Sequence, residues 1–88
     1  MFQLRPSLQP SLSKAIRDCR VTVGLTADAF AERLGQPVSF VQQIEKAELS
    51  IDRKRLRTCA EALGVSSDEL LDIAWSGYEE LVVLQHSN

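Results

Sequence analysis

Apolar residues recur three and four positions apart through most of this chain, which is the spacing of one side of an α-helix. Five such segments follow one another, separated by glycine, proline or polar residues. We expect an all-α fold of five helices. The positions predicted to face inward are, in chain order, Leu12, Ala15, Ile16, Cys19, Val23, Ala27, Phe30, Ala31, Leu34, Val41, Ile44, Leu56, Cys59, Ala60, Leu63, Leu70, Leu71, Ile73 and Ala74.

Residues that start and stop helices divide these segments. A glycine after a periodic segment favours the left-handed backbone that ends a helix, and a Ser, Thr or Asp before one favours a helix start. Pro37 suits the first turn of the third helix, which we expect to run to about Lys46. Ser66 and Glu69 have the spacing of a capping box. The other predicted boundaries are Gly24, Gly35 and Gly64 at helix ends and Thr26 and Asp52 at helix starts.

The two ends of the chain differ from its middle. Residues 1–10 contain Pro6 and Pro10, which favours an extended arm. Residues 11–74 form the predicted domain, and a chain of 88 residues supports only one. In residues 75–88, the Ser76 and Glu79 spacing of a second capping box favours another helix, whereas the apolar run Leu81 to Leu84 equally suits a strand. We favour a helical extension.

Charge is unevenly distributed, although the net charge is only −2. Residues 1–57 hold all ten Lys and Arg and six acidic residues, a net charge of +4, whereas residues 58–88 hold six acidic residues and no Lys or Arg, a net charge of −6. A molecule polarised in this way can direct a positive surface toward phosphate groups. Ordinary solvated helix surfaces produce the same pattern, so the charge distribution supports binding to phosphate groups but does not decide it.

The second and third predicted helices are short and separated by a turn of three or four residues, as in a helix-turn-helix. The sequence around them resembles the Cro and lambda-repressor family, also called the Xre family, over about residues 11–74. The residues that carry the resemblance are Ile16, Cys19 and Arg20; Gly24, Leu25 and Thr26; Phe30, Ala31, Leu34 and Gly35; Ser39, Phe40, Val41, Ile44 and Glu45; and Ala60, Leu63, Gly64 and Val65. The resemblance implies a lambda-repressor-like five-helix domain.

In that family the start of the third helix contacts base edges in the major groove, which implies that role for Val38, Ser39, Gln42 and Gln43. Their chemistry agrees, because an amide can bond to an adenine edge, a hydroxyl can donate or accept, and a valine can touch a thymine methyl. The alternative is a merely solvated helix surface. Val38 has a further alternative, packing beneath the turn.

The resemblance also implies phosphate contacts and one structural ion pair. Arg20 and Glu45 match a pair that joins the first helix to the third in family members. Two positions depart from the family pattern: Ala27 replaces a frequent glutamine, and Ala47 replaces a frequent glycine that turns left-handed. The candidates for phosphate contacts are Thr26, Gln36, Lys46, Arg53 and Lys54.

The C-terminal third is more apolar than a free tail in water. One helix-turn-helix covers only one half-site, so a pair of subunits is expected, and this segment is where we expect the pairing. The alternative is that the segment folds back on its own domain. The candidate dimer residues are Leu71, Trp75, Tyr78, Leu81, Val82 and Leu84.

We therefore expect a small cytoplasmic, nucleoid-associated regulator of bacterial or phage type, a homodimer that binds a palindromic operator and acts as a repressor. The alternative is a helix-turn-helix used for protein contacts, such as an antitoxin or a repressor antagonist. His86 is the only histidine and no glycine-rich phosphate loop occurs, so no enzyme is expected. Cys19 and Cys59 suit reduced core positions, and we expect no metal and no cofactor.

Overall fold

The computed structural model describes residues 8–86, and for residues 78–86 it describes the helical backbone alone. This part of the chain contains five α-helices and no strand, which confirms the predicted all-α fold. The helices are α1 (Gln9–Thr22), α2 (Ala27–Leu34), α3 (Val38–Glu45), α4 (Arg53–Leu63) and α5 (Ser67–His86).

Three of the predicted helix starts are present with their capping hydrogen bonds. Thr26 Oγ1 accepts from the Ala29 backbone N–H at 3.0 Å. Asp52 Oδ1 accepts from the third backbone N–H of α4 at 2.8 Å. At α5 the capping box is reciprocal: the Glu69 N–H donates to Ser66 Oγ at 3.1 Å, and the Ser66 N–H donates to Glu69 Oε1 at 2.9 Å. These bonds satisfy amide groups that have no partner within their own helices.

The prediction of an extended arm over residues 1–10 is wrong for residues 9 and 10, which are helical. The first helix begins at Gln9, two residues before the expected Ser11. Pro10 lies in its first turn, where the missing N–H costs nothing and the fixed φ suits a helix. Residues 1–7, the rest of the predicted arm, lie outside the described residues.

The C-terminal extension is helical as far as His86. This confirms the predicted helix, and the alternative of a strand is wrong. Ser76 does not start a new helix, however. Instead, α5 continues without a break from Ser67 through the proposed boundary at residue 75, for 20 residues in all. A capping-box spacing has no effect inside a helix whose backbone N–H groups already have partners in the preceding turn. Residues 87–88 lie outside the described residues.

One hydrophobic core joins the five helices. Its largest fully buried side chains include Ile16, Phe30, Ile44 and Leu70, which come from four different helices. Within the core, α1 packs mainly on α5, and α2 packs mainly on α3. Among the described residues, no helix is long and apolar enough to cross a membrane.

Two predicted inward positions are wrong. Val23 is 45% exposed because α1 ends at Thr22 and the next residue already belongs to the turn. Ile73 is also 45% exposed. The buried positions of α5 include Leu70 and Ala74, four residues apart, and position 73 lies off the line that joins them. Both cysteines are buried, as predicted.

Candidate nucleic-acid interface

A tight turn joins α2 to α3. Gly35 has φ 67°, the left-handed conformation that favours glycine, and its N–H donates to the Glu32 carbonyl at 3.1 Å. The Gln36 N–H donates to the Ala31 carbonyl at 3.0 Å. Pro37 then has an extended backbone and stands directly before α3. Three residues therefore complete the turn between two helices of eight residues each.

One side of α3 is buried and the other is fully polar. Val41 and Ile44 have no exposed surface and anchor the helix in the core. Ser39, Gln42 and Gln43 are exposed and lie on one side of the helix because they are three and four residues apart. Lys46, at the end of α3, continues the same line. The structure therefore brings three of the four predicted base-contacting residues together on one surface.

Val38, the fourth predicted base-contacting residue, lies at the edge of that surface. Its side chain is half-buried and packs against the core, unlike the exposed Ser39 beside it. This position agrees with the packing alternative for Val38. A half-buried valine still has exposed surface, so its contact with a base stays a prediction.

The Arg20 and Glu45 side chains join α1 to the end of α3 through two hydrogen bonds. Arg20 Nε donates to Glu45 Oε2 at 2.7 Å, and Nη2 donates to Oε1 at 3.1 Å. Nη1 donates to the Leu25 carbonyl at 2.9 Å. The hydrogen bond to Glu45 raises the pKa of Arg20 above its ordinary value, against the opposing effect of burial. This arrangement fixes α3 relative to α1 and to the start of α2.

After α3 the chain turns at Ala47, which has φ 59°. It is the one non-glycine residue with a left-handed backbone in the described part of the chain. The Glu48 N–H donates to the Gln43 carbonyl at 2.8 Å and closes the turn. The position thus has the conformation that the family pattern assigns to glycine, and alanine is strained there.

Gln9 is a positioning residue that the sequence analysis missed. Its Oε1 accepts from the Ile51 N–H at 2.7 Å, and its Nε2 donates to the Ile51 carbonyl at 3.2 Å. These two bonds join the start of α1 to the loop that carries the chain from α3 to α4. No sequence signal marks this contact, because the two residues are 42 positions apart and Gln9 lay in the predicted arm.

The predicted phosphate-binding residues fall into different surroundings. Gln36 and Lys54 both line a cleft whose wall includes Phe40, so the start of α3 and the start of α4 lie close together. The Thr26 hydroxyl is exposed but already accepts a hydrogen bond as the cap of α2. Arg53 lines a different groove, between α4 and α5. The structure thus groups Gln36 and Lys54 beside α3, whereas Arg53 shares a second groove on α4 with Lys54 but does not line the cleft beside Phe40.

The basic residues of α4 are not equivalent. Arg55 Nη1 donates to the Ser50 carbonyl at 2.9 Å and is therefore committed to its own loop. In contrast, Arg53, Lys54 and Arg57 form no ion pair with any side chain of residues 8–77. Their positive charge is therefore available to an outside anion. Such an anion would also offset the unfavourable interaction between cations in the first turns of a helix and the helix dipole.

The described residues contain no group of three or more His, Cys, Asp or Glu side chains arranged to hold a metal ion. The Cys59 thiol is buried, and burial raises its pKa to about 11. Burial and, secondarily, the charge of Glu69 raise the pKa of Cys19. Both thiols are therefore protonated near neutral pH.

Of the six predicted dimer residues, the structure describes the side chains of two. Leu71 is half-buried and packs against the core, whereas Trp75 is 47% exposed. Tyr78, Leu81, Val82 and Leu84 lie where only the helical backbone is described. At 3.6 residues per turn, positions 71, 75, 78 and 82 follow one side of α5, and position 84 lies well away from that line.

Comparison with known proteins identifies the family. A helix-turn-helix family model matches residues 16–70, which is more than half of the chain. The chain belongs to the Xre-type helix-turn-helix family. It is therefore a DNA-binding transcription regulator of the helix-turn-helix class. No curated protein sequence matches the chain at a significant level.

Solved structures agree with this fold. A crystal structure of the clp gene regulator ClgR from Corynebacterium glutamicum has 25% identity and a TM-score of 0.78, covering 83% of this chain and 95% of that one. A second ClgR structure has 22% identity and a TM-score of 0.85 over 93% of this chain and 87% of that one. The restriction-modification controller protein C.AhdI from Aeromonas hydrophila has 22% identity and a TM-score of 0.65. The match covers 70% of this chain and 94% of that one.

Proposed function

We propose that this regulator binds a palindromic DNA operator as a homodimer and represses transcription from it. In this proposal α3 enters the major groove, and Ser39, Gln42 and Gln43 contact base edges. Val38 contributes at most a methyl contact, because its side chain already packs against the core.

The polar surface of α3 is the observation that carries this proposal. Three neighbouring uncharged side chains are exposed on a helix that is anchored in the core by the fully buried Val41 and Ile44, and none of the three is needed for the core. Side chains that can donate and accept suit the pattern of donors and acceptors in the major groove. The bonds of Arg20 to Glu45 and Leu25 support a fixed orientation for this surface, which specific contacts require.

Phosphate contacts hold the protein in register without contributing sequence information. Lys54 and Gln36 flank the start of α3, and Lys46 lies at its other end, so positive or polar groups stand on both sides of the polar surface. We assign contacts with the DNA phosphates to these three residues first. Thr26 and Arg53 are weaker candidates, since the Thr26 hydroxyl already caps α2 and Arg53 does not line the cleft beside α3.

Pairing of subunits is assigned to α5. One half-site is too short for useful specificity, and two subunits spaced by a helical turn of DNA read a palindrome. Trp75 is 47% exposed and lies on this helix, and a large aromatic side chain at such a position suits a contact between subunits. Leu71 lies one turn before it along the same side.

Binding measurements on DNA selected from a random pool test the proposal. We expect the selected sites to contain two inverted half-sites about one helical turn apart, and affinity to fall steeply as salt rises. Gln43→Ala should cost about 1 to 3 kcal/mol on the selected site and change binding to unrelated DNA little. Glu32→Ala, exposed on α2, is the control. Unchanged specific binding by the double variant Ser39→Ala and Gln43→Ala would contradict the assignment of α3.

A second candidate function uses the same fold for protein contacts, as an antitoxin or a repressor antagonist does. The exposed Trp75 and Ile73 support it, because an unlike partner can cover them as well as a second copy can. Selection from random DNA separates the two functions. A pool that yields no enriched sequence, at a salt concentration low enough for binding, would favour the protein-contact function.

A further inference from the structure

A groove between α1 and the end of α3 is the feature that carries a further inference. It has a volume of about 380 Å³ and is lined by residues between 10 and 18 of α1 and by residues 45–47. Lys46 lies in its wall, about one turn after Gln43. The groove therefore adjoins the polar surface of α3 that we assign to DNA.

Ser13 lines this groove, and its hydroxyl has no hydrogen-bond partner among the described residues. The residue is only 2% exposed, and it is the one polar residue buried in the part of the chain that the structure describes. A buried hydroxyl normally has a partner, because an unbonded one has lost its hydration without a replacement. A hydrogen-bond acceptor that enters the groove would supply this partner.

Helix geometry directs Ser13 and Arg17 toward the end of α3. The two residues are four positions apart, and Arg20 follows three positions later on the same side of α1. The bonds between Arg20 and Glu45, the last residue of α3, show which way this side faces. Arg17 and Lys46, both exposed, therefore line one groove from two different helices.

The charges of the groove leave an excess of positive charge. Within residues 8–77, Arg17 and Lys46 form no ion pair. The third cation of the lining, Lys14, is paired with Asp18 at 2.8 Å, and Glu45 is paired with the arginine described above. Each carboxylate that lines the groove thus already has its own cation. The two unpaired cations suit an anion.

The backbone at the end of α3 also permits negative charge nearby. The carbonyl groups of Gln42, Gln43 and Ile44 accept from the N–H groups of Lys46, Glu48 and Ala47, respectively, at 2.8 to 3.2 Å. The left-handed turn at Ala47 closes these bonds. Because these carbonyl groups are already bonded, they repel an anion less than the open end of a helix does.

We propose that this groove binds an oxyanion such as a phosphate group, held by Arg17, Lys46 and a hydrogen bond that Ser13 Oγ donates. Guanidinium and ammonium groups both pair with phosphate, and the hydroxyl adds a charge-assisted hydrogen bond. Two sources have this chemistry: a phosphate of the DNA backbone beside α3, and a phosphate free in solution. The first source rests on the proposed function and adds α1 to the DNA contacts, whereas the second is independent of it.

Titration with inorganic phosphate tests the groove without DNA. Assigned amide NMR spectra are recorded while sodium chloride is adjusted to hold the ionic strength constant. We expect saturable shifts of the amide signals of residues 13, 17 and 46. Arg17→Gln and Ser13→Ala each remove one donor and should raise the phosphate dissociation constant about tenfold. Arg57→Gln removes an exposed charge from α4, outside the groove, and should keep the wild-type constant.

The salt dependence of DNA binding identifies the source of the anion. If a DNA phosphate occupies the groove, Arg17→Gln should make the slope of log affinity against log salt shallower by about 1. Specific and unrelated DNA should be affected by similar factors. Arg57→Gln measures the effect of net charge alone. If the anion is a free molecule, the slope for Arg17→Gln should equal that of Arg57→Gln, while the phosphate titration still saturates.

The inference is overturned if the slopes for Arg17→Gln and Arg57→Gln are equal and inorganic phosphate causes no saturable shift at the groove. It is also overturned if the slopes are equal and phosphate acts alike on the wild type, Arg17→Gln and Ser13→Ala. A shallower slope for Arg17→Gln supports the DNA source even without saturation by phosphate, since a lone ion lacks the neighbouring contacts of the duplex. A chain that binds no DNA contradicts the proposed function only, because the phosphate titration still measures the groove.

Discussion

Arg20 Nε lies 2.7 Å from Glu45 Oε2, and the two side chains are only 15% and 11% exposed. They connect the helix that packs on α5 with the last residue of the helix that carries the polar surface. A pair so little exposed to water is a weak source of net stability, because removing both charges from water costs nearly as much as their attraction returns. Its effect is to fix geometry: α3 cannot rotate about its axis without breaking two hydrogen bonds.

Glu45→Ala should therefore lower the free energy of unfolding by about 2 to 4 kcal/mol, because it leaves the Arg20 guanidinium buried without its partner. Urea unfolding followed by circular dichroism measures the change. The double variant Arg20→Leu and Glu45→Met removes both charges and should recover most of the loss. If the free energy of unfolding of Glu45→Ala lies within about 0.5 kcal/mol of the wild-type value, water already solvates the pair.

Lys54→Gln should weaken binding to specific and unrelated DNA by similar factors, because a phosphate contact is independent of sequence. The slope of log affinity against log salt should become shallower by about 1. Titrations at four or more salt concentrations give the slope. Lys14→Gln is the matched control, since Lys14 is exposed on α1 and pairs with Asp18 at 2.8 Å. An equal change of slope in both variants would assign the effect to net charge alone.

Ala47→Gly should raise the free energy of unfolding by about 1 kcal/mol. The residue has φ 59°, where a Cβ atom is strained and glycine is not. The same change at Ala29, inside α2, should have the opposite sign and cost about 0.5 to 1 kcal/mol. Chemical unfolding of both variants beside the wild type gives the comparison. A destabilised Ala47→Gly variant would mean that the entropy gained by the unfolded chain outweighs the strain.

Stability should fall as pH rises from about 9 to about 11, partly because of Cys59. Burial raises the pKa of its thiol from an ordinary value near 9 to about 11, so the folded chain keeps a proton that the unfolded chain loses. The contribution is fully present below pH 9 and is lost through this window, with a slope of at most about 1.4 kcal/mol per pH unit. Unfolding curves of wild type and Cys59→Ala at pH 7 to 10.5 isolate it. Parallel pH profiles for the two proteins would refute the assignment.

The local elements were predictable from the sequence because their causes are local. Thr26, Asp52 and Ser66 each bond to a backbone N–H three residues ahead, and such a contact needs no other part of the chain. The buried positions of α2, α3 and α4 follow from the helical repeat in the same way. The polar surface of α3 was predictable for that reason too, with the resemblance supplying its role.

Contacts between distant residues were not predictable from spacing. The bonds between Gln9 and Ile51 join positions 42 apart, and neither residue type marks a site of this kind. The exposure of Val23 and Ile73 depends on where α1 ends and on which side of α5 faces the core. The common cleft of Gln36 and Lys54 also required the structure, because these residues lie in different parts of the chain.

The sequence by itself determined five helices, their caps and the family, since each depends on short stretches of chain. Only the tertiary structure decided which charges are already paired and which helices pack against one another. Those properties arise when helices far apart in the chain come into contact, and burial and distance exist only then.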